Sequence, residues 1–156
     1  MSKQNVKTPL PKALVNGSHL RAGVEPGLAA VASKDRPYFD KAAKRDLLDS
    51  LDLDAALKPH YPSEHRWDYL LGHRLGGLIA VEPHPANQAE VSTVIAKKQA
   101  AVKQLNGHLK ASSKIQRWLW VASGNVGFAF PDKALLRLNQ EGIEFVGRKV
   151  LPKNLP

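Results

Sequence analysis

The chain has 156 residues and no cysteine, which excludes a disulfide framework and any site that needs a thiolate. Its 23 Lys and Arg against 14 Asp and Glu give a formal net charge of +9, which favours a polyanionic partner such as DNA or RNA. No apolar run reaches the roughly 18 residues that a bilayer crossing needs, so we expect no membrane partner. The lack of cysteine favours a cytoplasmic location.

Residues 1–36 are rich in Lys, Pro, Gly, Ser and Asn and show no sustained hydrophobic period. This composition predicts an extended or disordered basic N-terminal arm, followed by a single α/β domain over residues 37–156. The arm is either a passive tail or a contact to a polyanion or another partner, made through Lys3, Lys7, Lys12, Arg21, Lys34 and Arg36.

Residues 38–57 carry apolar side chains at intervals of about one helical turn, which predicts a helix. Four aspartates in this segment, Asp46, Asp49, Asp52 and Asp54, look at first like a calcium-binding loop. They lack the central Gly and the terminal Glu of such a loop. We therefore expect a solvated helix face, or a cap for a second short helix at Asp52 or Asp54.

The next segment predicts a β-hairpin, with a strand over residues 66–72, a connection over 73–77 and a return strand over 78–82. If Gly72 faces Leu78, Asp68 lies directly opposite Glu82. Opposed residues on one face have Cβ atoms about 5 Å apart, so both carboxylates could hold one divalent cation. The open alternatives are local ion pairs: Asp68 with Arg66 or Arg74, and Glu82 with Lys98 or as a cap near Asn87.

A helix should follow Pro85 and run to about residue 109, with Lys98 in the middle of its apolar stripe. A lysine facing the core needs a carboxylate or phosphate, unless its stem lies along apolar surface with the ammonium in water. Further strands are predicted over residues 115–122, 126–130 and 143–151, with a helix from Pro131-Asp132 between the last two. The strand over 143–151 could offer a pairing edge for a homodimer. Trp118 and Trp120 share one strand face, which indicates core packing more often than stacking on bases.

These residues resemble the PD-(D/E)xK nucleases, also called restriction-endonuclease-like. That superfamily is similar in having a helix, a strand hairpin with an Asp and an acid-x-Lys pair, then a helix and a further strand. The resemblance covers about residues 40–125. It implies an α/β fold with a single mixed β-sheet, flanking helices and an αββαβ core, plus a C-terminal β-α-β extension. It also implies that Asp68, Glu82 and the Pro83 backbone carbonyl hold Mg²⁺ or Mn²⁺ for cleavage of nucleic acid.

The chain departs from the family pattern because His84 stands where the motif lysine would be. His84 could orient or deprotonate the attacking water. Alternatively the lysine has moved to the next helix, as looks to happen in some relatives, with Lys98 as the first candidate and Lys97 as the second. A third possibility is an inactive site in a domain that only binds nucleic acid or protein. Glu64 and Glu90 are weaker site candidates, and zinc bound by His65, His73 and His84 is a minor alternative.

Overall fold

A computed structural model describes residues 8–124 and 130–156 of the protein. Within these residues the strands form one six-stranded sheet in the order β1 to β6: β1 Val24–Pro26, β2 Leu47–Asp52, β3 Tyr69–His73, β4 Leu78–Pro85, β5 Ile115–Ser123 and β6 Ile143–Gly147. The helices are α1 Pro9–Ala13, α2 Lys41–Lys44, α3 Leu53–Leu57, α4 Val91–Gln104 and α5 Asp132–Gln140. The predicted α/β class with a single mixed sheet is therefore confirmed.

The sheet changes character at β4. Strands β1 to β4 pair antiparallel, whereas β4 with β5 and β5 with β6 pair parallel. A parallel neighbour requires a crossover, and α4 and α5 supply the two crossovers. Successive strand residues face opposite sides, so Leu70 and Trp120 join one apolar cluster while Leu71 and Leu119 join the other. Both predicted core tryptophans, Trp118 and Trp120, are buried, which confirms packing over base stacking.

The helix predicted over residues 38–57 is wrong, since α2, β2 and α3 occupy this region. Leu47 and Leu51 are four residues apart, a spacing that puts two side chains on one face of a strand as well as on one face of a helix. This segment forms a strand because it pairs with both β1 and β3. Asp49 is only 1% exposed within β2 and not part of a solvated helix face. The cap at Asp52 is confirmed, because its carboxylate accepts from the Ala55 N–H at 2.9 Å.

The expected N-terminal arm differs from the structure from Thr8 onwards. Leu10, Leu14 and Leu20 are fully buried in the core, and β1 pairs with β2. These leucines are separated by Pro and Gly and show no period, so only tertiary contacts reveal their burial. Residues 1–7 lie outside the described residues.

The predicted pairing of Gly72 with Leu78 is confirmed, and Tyr69 pairs with Val81. The first strand begins at Tyr69 and not at residue 66 as predicted, so Asp68 lies just outside the ladder. Gly76, with φ of 96°, provides the left-handed turn residue of the connection. β4 runs three residues beyond the predicted end at Glu82, through Pro83 to Pro85. The antiparallel partner β3 begins at Tyr69, opposite Val81, so the part of β4 beyond Val81 pairs only with β5. Its other side is an edge of the sheet, where proline is tolerated.

The C-terminal part follows the prediction in α5 and β6, although β6 ends at Gly147 and lies at the edge of the sheet. The strand predicted over residues 126–130 lies, except for Phe130, outside the described residues. Across residues 8–124 and 130–156, none of the helices combines the length and apolar character that a membrane crossing requires.

Candidate functional site

Five ionisable side chains meet where β4 parts from β3: Asp68, Glu82, His84, Glu90 and Lys97. Asp68 lies just before β3, and Glu82 and His84 lie two residues apart on β4, so they share one face of the strand. Glu90 ends the 3-10 turn before α4, and Lys97 lies in α4. Strand alternation and one helical phase therefore bring the group together.

Glu82 is the centre of this cluster and is 0% exposed. Its Oε1 accepts from the Asp68 backbone N–H at 2.9 Å. Its Oε2 accepts from the ammonium of Lys97 and lies 3.3 Å from His84 Nδ1. A buried carboxylate is tolerated only when its oxygens are satisfied in this way.

Lys97 bridges the two acids, since its Nζ also lies 3.5 Å from Asp68 Oδ1. Burial lowers the pKa of Lys97, but the carboxylates of Glu82 and Asp68 together raise it further, and the net shift is upward. Lys97 is therefore held as a cation between the two carboxylates.

Asp68 is the member of the group whose ionised form is disfavoured. Burial, followed by the charge of Glu82, raises the pKa of Asp68 to about 7, although Lys97 opposes the shift. When every group is ionised, the acids Asp68, Glu82 and Glu90 outnumber the cations Lys97 and His84 by one. The fully ionised cluster therefore carries a net charge of −1, which a further cation would neutralise.

His84 is hydrogen-bonded at both ring nitrogens, with Nε2 lying 2.5 Å from Glu90 Oε1. The hydrogen bond to Glu82 raises the pKa of His84, burial opposes it, and the contact to Glu90 adds to the rise. The ring therefore contacts one carboxylate at each nitrogen. The interpretation of His84 as the water-activating base stays a prediction.

Trp120 fixes the backbone beneath this ring. Its indole N–H donates to the His84 carbonyl at 3.0 Å, and the two rings meet edge to face with centroids 6.2 Å apart. The neighbouring Pro83 is buried in β4 opposite Val121.

Lys98, the first candidate for the displaced lysine, does not reach the acids. Its ammonium donates to the Glu141 backbone carbonyl and lies 5.2 Å from the centroid of the Trp118 ring. The alternative in which Glu82 pairs with Lys98 is therefore wrong, and Glu82 pairs with Lys97 instead.

The phase of α4 is not the source of this error. The buried residues of α4 are Val91, Val94, Ile95, Ala101 and Gln104. Lys98 lies inside this buried face and contacts Trp118, whereas Lys97 lies at its border, and it is the border position that faces Glu82.

The other local alternatives are resolved by the described contacts. Arg66 pairs with Asp54 and Arg74 pairs with Asp46, each at 2.8 Å, so neither arginine neutralises Asp68. Glu90 joins the cluster through His84. Glu64 is exposed, and its backbone carbonyl accepts from Arg66 at 3.0 Å.

The zinc alternative fails in its predicted form. His73 is buried at the far end of β3, where its Nδ1 accepts from the Leu75 N–H at 3.2 Å, and it does not converge with His84. Nor do any three His, Asp or Glu side chains in the described ranges form a ready-made metal site. A magnesium ion typically needs only one or two carboxylates and otherwise keeps water ligands.

The chain matches no family model, no curated protein and no solved structure.

Proposed function

We propose that this domain cleaves phosphodiester bonds of nucleic acid with the help of Mg²⁺ or Mn²⁺. The observation that carries the proposal is that Asp68, just before β3, and Lys97, in α4, both lie against the fully buried carboxylate of Glu82 in β4. Replacing a buried ionic cluster with apolar side chains often costs nothing or stabilises a protein, so stability alone gives weak grounds for keeping one. Strongly shifted pKa values, as at Asp68, are enriched at functional sites.

Carboxylate oxygens are the donors that a hard divalent cation prefers, and binding requires the Lys97 ammonium to move from between the two acids. Asp68 and Glu82 would hold it with carboxylate oxygens, and the Pro83 carbonyl would add a third oxygen. The excess negative charge of the cluster supports the same assignment. When bound, such an ion polarises a phosphate and lowers the pKa of a bound water.

The protein's own residues have separate tasks. Lys97 keeps an ammonium beside both acids, where it can bind a phosphate oxygen and stabilise negative charge that develops there. This is the role that the resemblance to PD-(D/E)xK nucleases gives to the motif lysine, here supplied from α4. His84 orients Glu82 and links it to Glu90. The net charge of +9 favours encounter with a polyanionic substrate.

The test is cleavage of labelled DNA and RNA, single and double stranded, with Mg²⁺ or Mn²⁺ and with chelator. We expect metal-dependent cutting by the parent protein, lost in Asp68→Asn, Glu82→Gln and Lys97→Met. Lys98→Met is the matched control, because it removes the adjacent lysine of the same helix and should retain activity. Equal activity in Lys97→Met and Lys98→Met would contradict the proposal.

A second measurement separates metal binding from cleavage. Mg²⁺ should raise the melting temperature of the parent protein and leave that of Asp68→Asn unchanged, because a ligand of the native state stabilises it. Salt-sensitive binding of nucleic acid without cutting and without a magnesium effect would instead identify an inactive binding module, the second function compatible with the basic charge.

A further inference from the structure

A surface cleft of about 440 Å³ lies between the end of α4 and the start of β5. Its apolar lining consists of Val102, Leu105, Leu109, Ile115 and Trp118. Val102 is 54% exposed, whereas Leu105 and Trp118 are buried and form the floor. Clefts of this size with a mainly apolar lining accept an apolar group of a ligand.

The cleft is surrounded by positive charge. Lys110 and Lys114 line it, and Lys103 follows Val102 on the exposed side of α4. Among the described residues, no Asp or Glu lines the cleft and none forms an ion pair with these three lysines. The sequence accounts for this, because residues 91–124 contain no Asp or Glu at all. An anionic partner would therefore meet no repulsion here.

A second, more polar cleft of about 300 Å³ continues the first, since Ser113 and Lys114 line both. Gly77, Ser112 and Gln116 are among its other lining residues, and no described acidic side chain contributes to it. The two clefts form one groove over the connection between α4 and β5. A groove with an apolar part and a polar part suits an elongated ligand that has both characters.

Hydrogen bonds to the N-terminal segment hold this connection in place. The Lys110 N–H donates to the Ala13 carbonyl at 2.8 Å, and the Ser113 N–H donates to the Lys110 carbonyl at 2.9 Å. Leu109 forms an antiparallel bridge with Leu14. The groove is therefore formed before any ligand arrives, which lowers the entropic cost of binding.

The lining favours a hydrophobic side chain over a nucleobase. Bases stack on the exposed faces of aromatic rings. Trp118 is the one aromatic residue of the cleft, is only 8% exposed, and packs edge to face against Trp67 with centroids 5.0 Å apart. The remaining apolar lining is aliphatic, as in grooves that accept an apolar anchor of a peptide.

We propose that this groove binds an acidic segment of a partner protein, with one apolar side chain in the cleft and carboxylates beside Lys110 and Lys114. The apolar anchor supplies affinity, and the complementary charges supply specificity and a faster encounter. No member of the acidic cluster around Glu82 lines the groove, and Ile115 pairs with Leu78, four residues before Glu82 in β4. This binding function is therefore separate from the proposed cleavage.

The experiment measures binding of labelled synthetic decapeptides to the full chain by fluorescence anisotropy, with chelator present so that the proposed magnesium site has no part in it. In the first peptide library, one Leu, Ile or Phe is flanked by Asp and Glu. In two matched libraries, Lys replaces the acids or Gly replaces the apolar residue. We expect binding by members of the first library only, weakened by added salt.

Charge reversal tests the lysines. Lys110→Glu combined with Lys114→Glu should weaken binding of the best peptides by roughly tenfold or more. Lys34→Glu combined with Lys149→Glu is the matched control, because it changes the net charge equally at exposed positions outside the groove. The control should retain most of the affinity.

Truncation tests the apolar contact. Val102→Ser should weaken peptide binding by about fivefold or more. Leu136→Ser removes an apolar side chain of similar exposure from α5, outside the groove, and should leave the affinity unchanged. Because Val102 and the substituted lysines are exposed, the variants should fold, and their melting curves check this.

Three results would overturn the inference. The first is that no peptide of the acidic library binds the folded protein. The second is equal affinity in the two charge-reversed proteins. The third is binding of a labelled single-stranded oligonucleotide, lost on reversal of Lys110 and Lys114, in place of peptide binding, which would assign the groove to nucleic acid.

Discussion

Replacing Asp68 by Asn should stabilise the protein at neutral and alkaline pH while destroying the proposed site. The pKa of Asp68 rises from 3.8 to about 7 on folding, which corresponds to an upper bound of about 4 kcal/mol lost when the group ionises. The side chain keeps 28% of its exposure, so solvent screens part of this cost. We expect a gain on the order of 2 kcal/mol for Asp68→Asn at about pH 8.

The sign follows from the direction of the shift. A raised pKa in the folded state contributes stability that is fully present below pH 3.8 and is lost as the pH rises through about 7. Asn does not ionise, so the stability difference between variant and parent should grow between these values and then level off. Urea unfolding with chelator present, repeated across this range, measures the difference.

Asp132→Asn, at an exposed position in the first turn of α5, controls for the general effect of removing a carboxylate. A difference between parent and Asp68→Asn that stays constant from acid to alkaline pH would refute the reasoning. So would a difference that shrinks as the pH rises.

Three further substitutions test the surrounding contacts. Lys97→Met should lose about 3–5 kcal/mol in urea unfolding, because it leaves the buried Glu82 without its cation, whereas Lys98→Met should lose much less; equal losses would contradict this. Gly72→Ala should lose about 1–3 kcal/mol, because its Cβ would lie 2.0 Å from Asp49 Oδ1 and 2.7 Å from Pro9 Cβ; an unchanged urea midpoint would show that the chain yields there. Tyr69→Phe should cost about 1–3 kcal/mol by thermal unfolding, since the hydroxyl donates to Asp35 Oδ2 at 2.6 Å and accepts from the Ala32 N–H at 3.1 Å; a wild-type melting temperature would contradict it.

The hairpin and its acids could be predicted because strand alternation and a short turn leave few choices of register. Once Gly72 faces Leu78, the positions of Asp68 and Glu82 follow. The lysine could not be assigned with the same certainty. Helical periodicity places Lys98 inside the buried face of α4 and Lys97 at its border. It does not reveal that the neighbour of the border position is Glu82.

Contacts between residues that are far apart in the sequence left no pattern from which they could be predicted. The ring of His19 contacts those of His60 and His108, and neither spacing nor composition connects these three positions. The same holds for the buried leucines of the N-terminal segment, whose neighbours in the fold come from other elements. Local patterns fix faces of helices and strands, whereas contacts between distant segments depend on the whole topology.

All five members of the acidic cluster come from one continuous stretch of 30 residues, from Asp68 to Lys97. The hairpin and the first part of α4 therefore carry the whole cluster, and β5 contacts them through Trp120. Neither the N-terminal segment nor the chain after β5 contributes a side chain to this cluster. The spacing of the five side chains is therefore set within this stretch and by its pairing with β5.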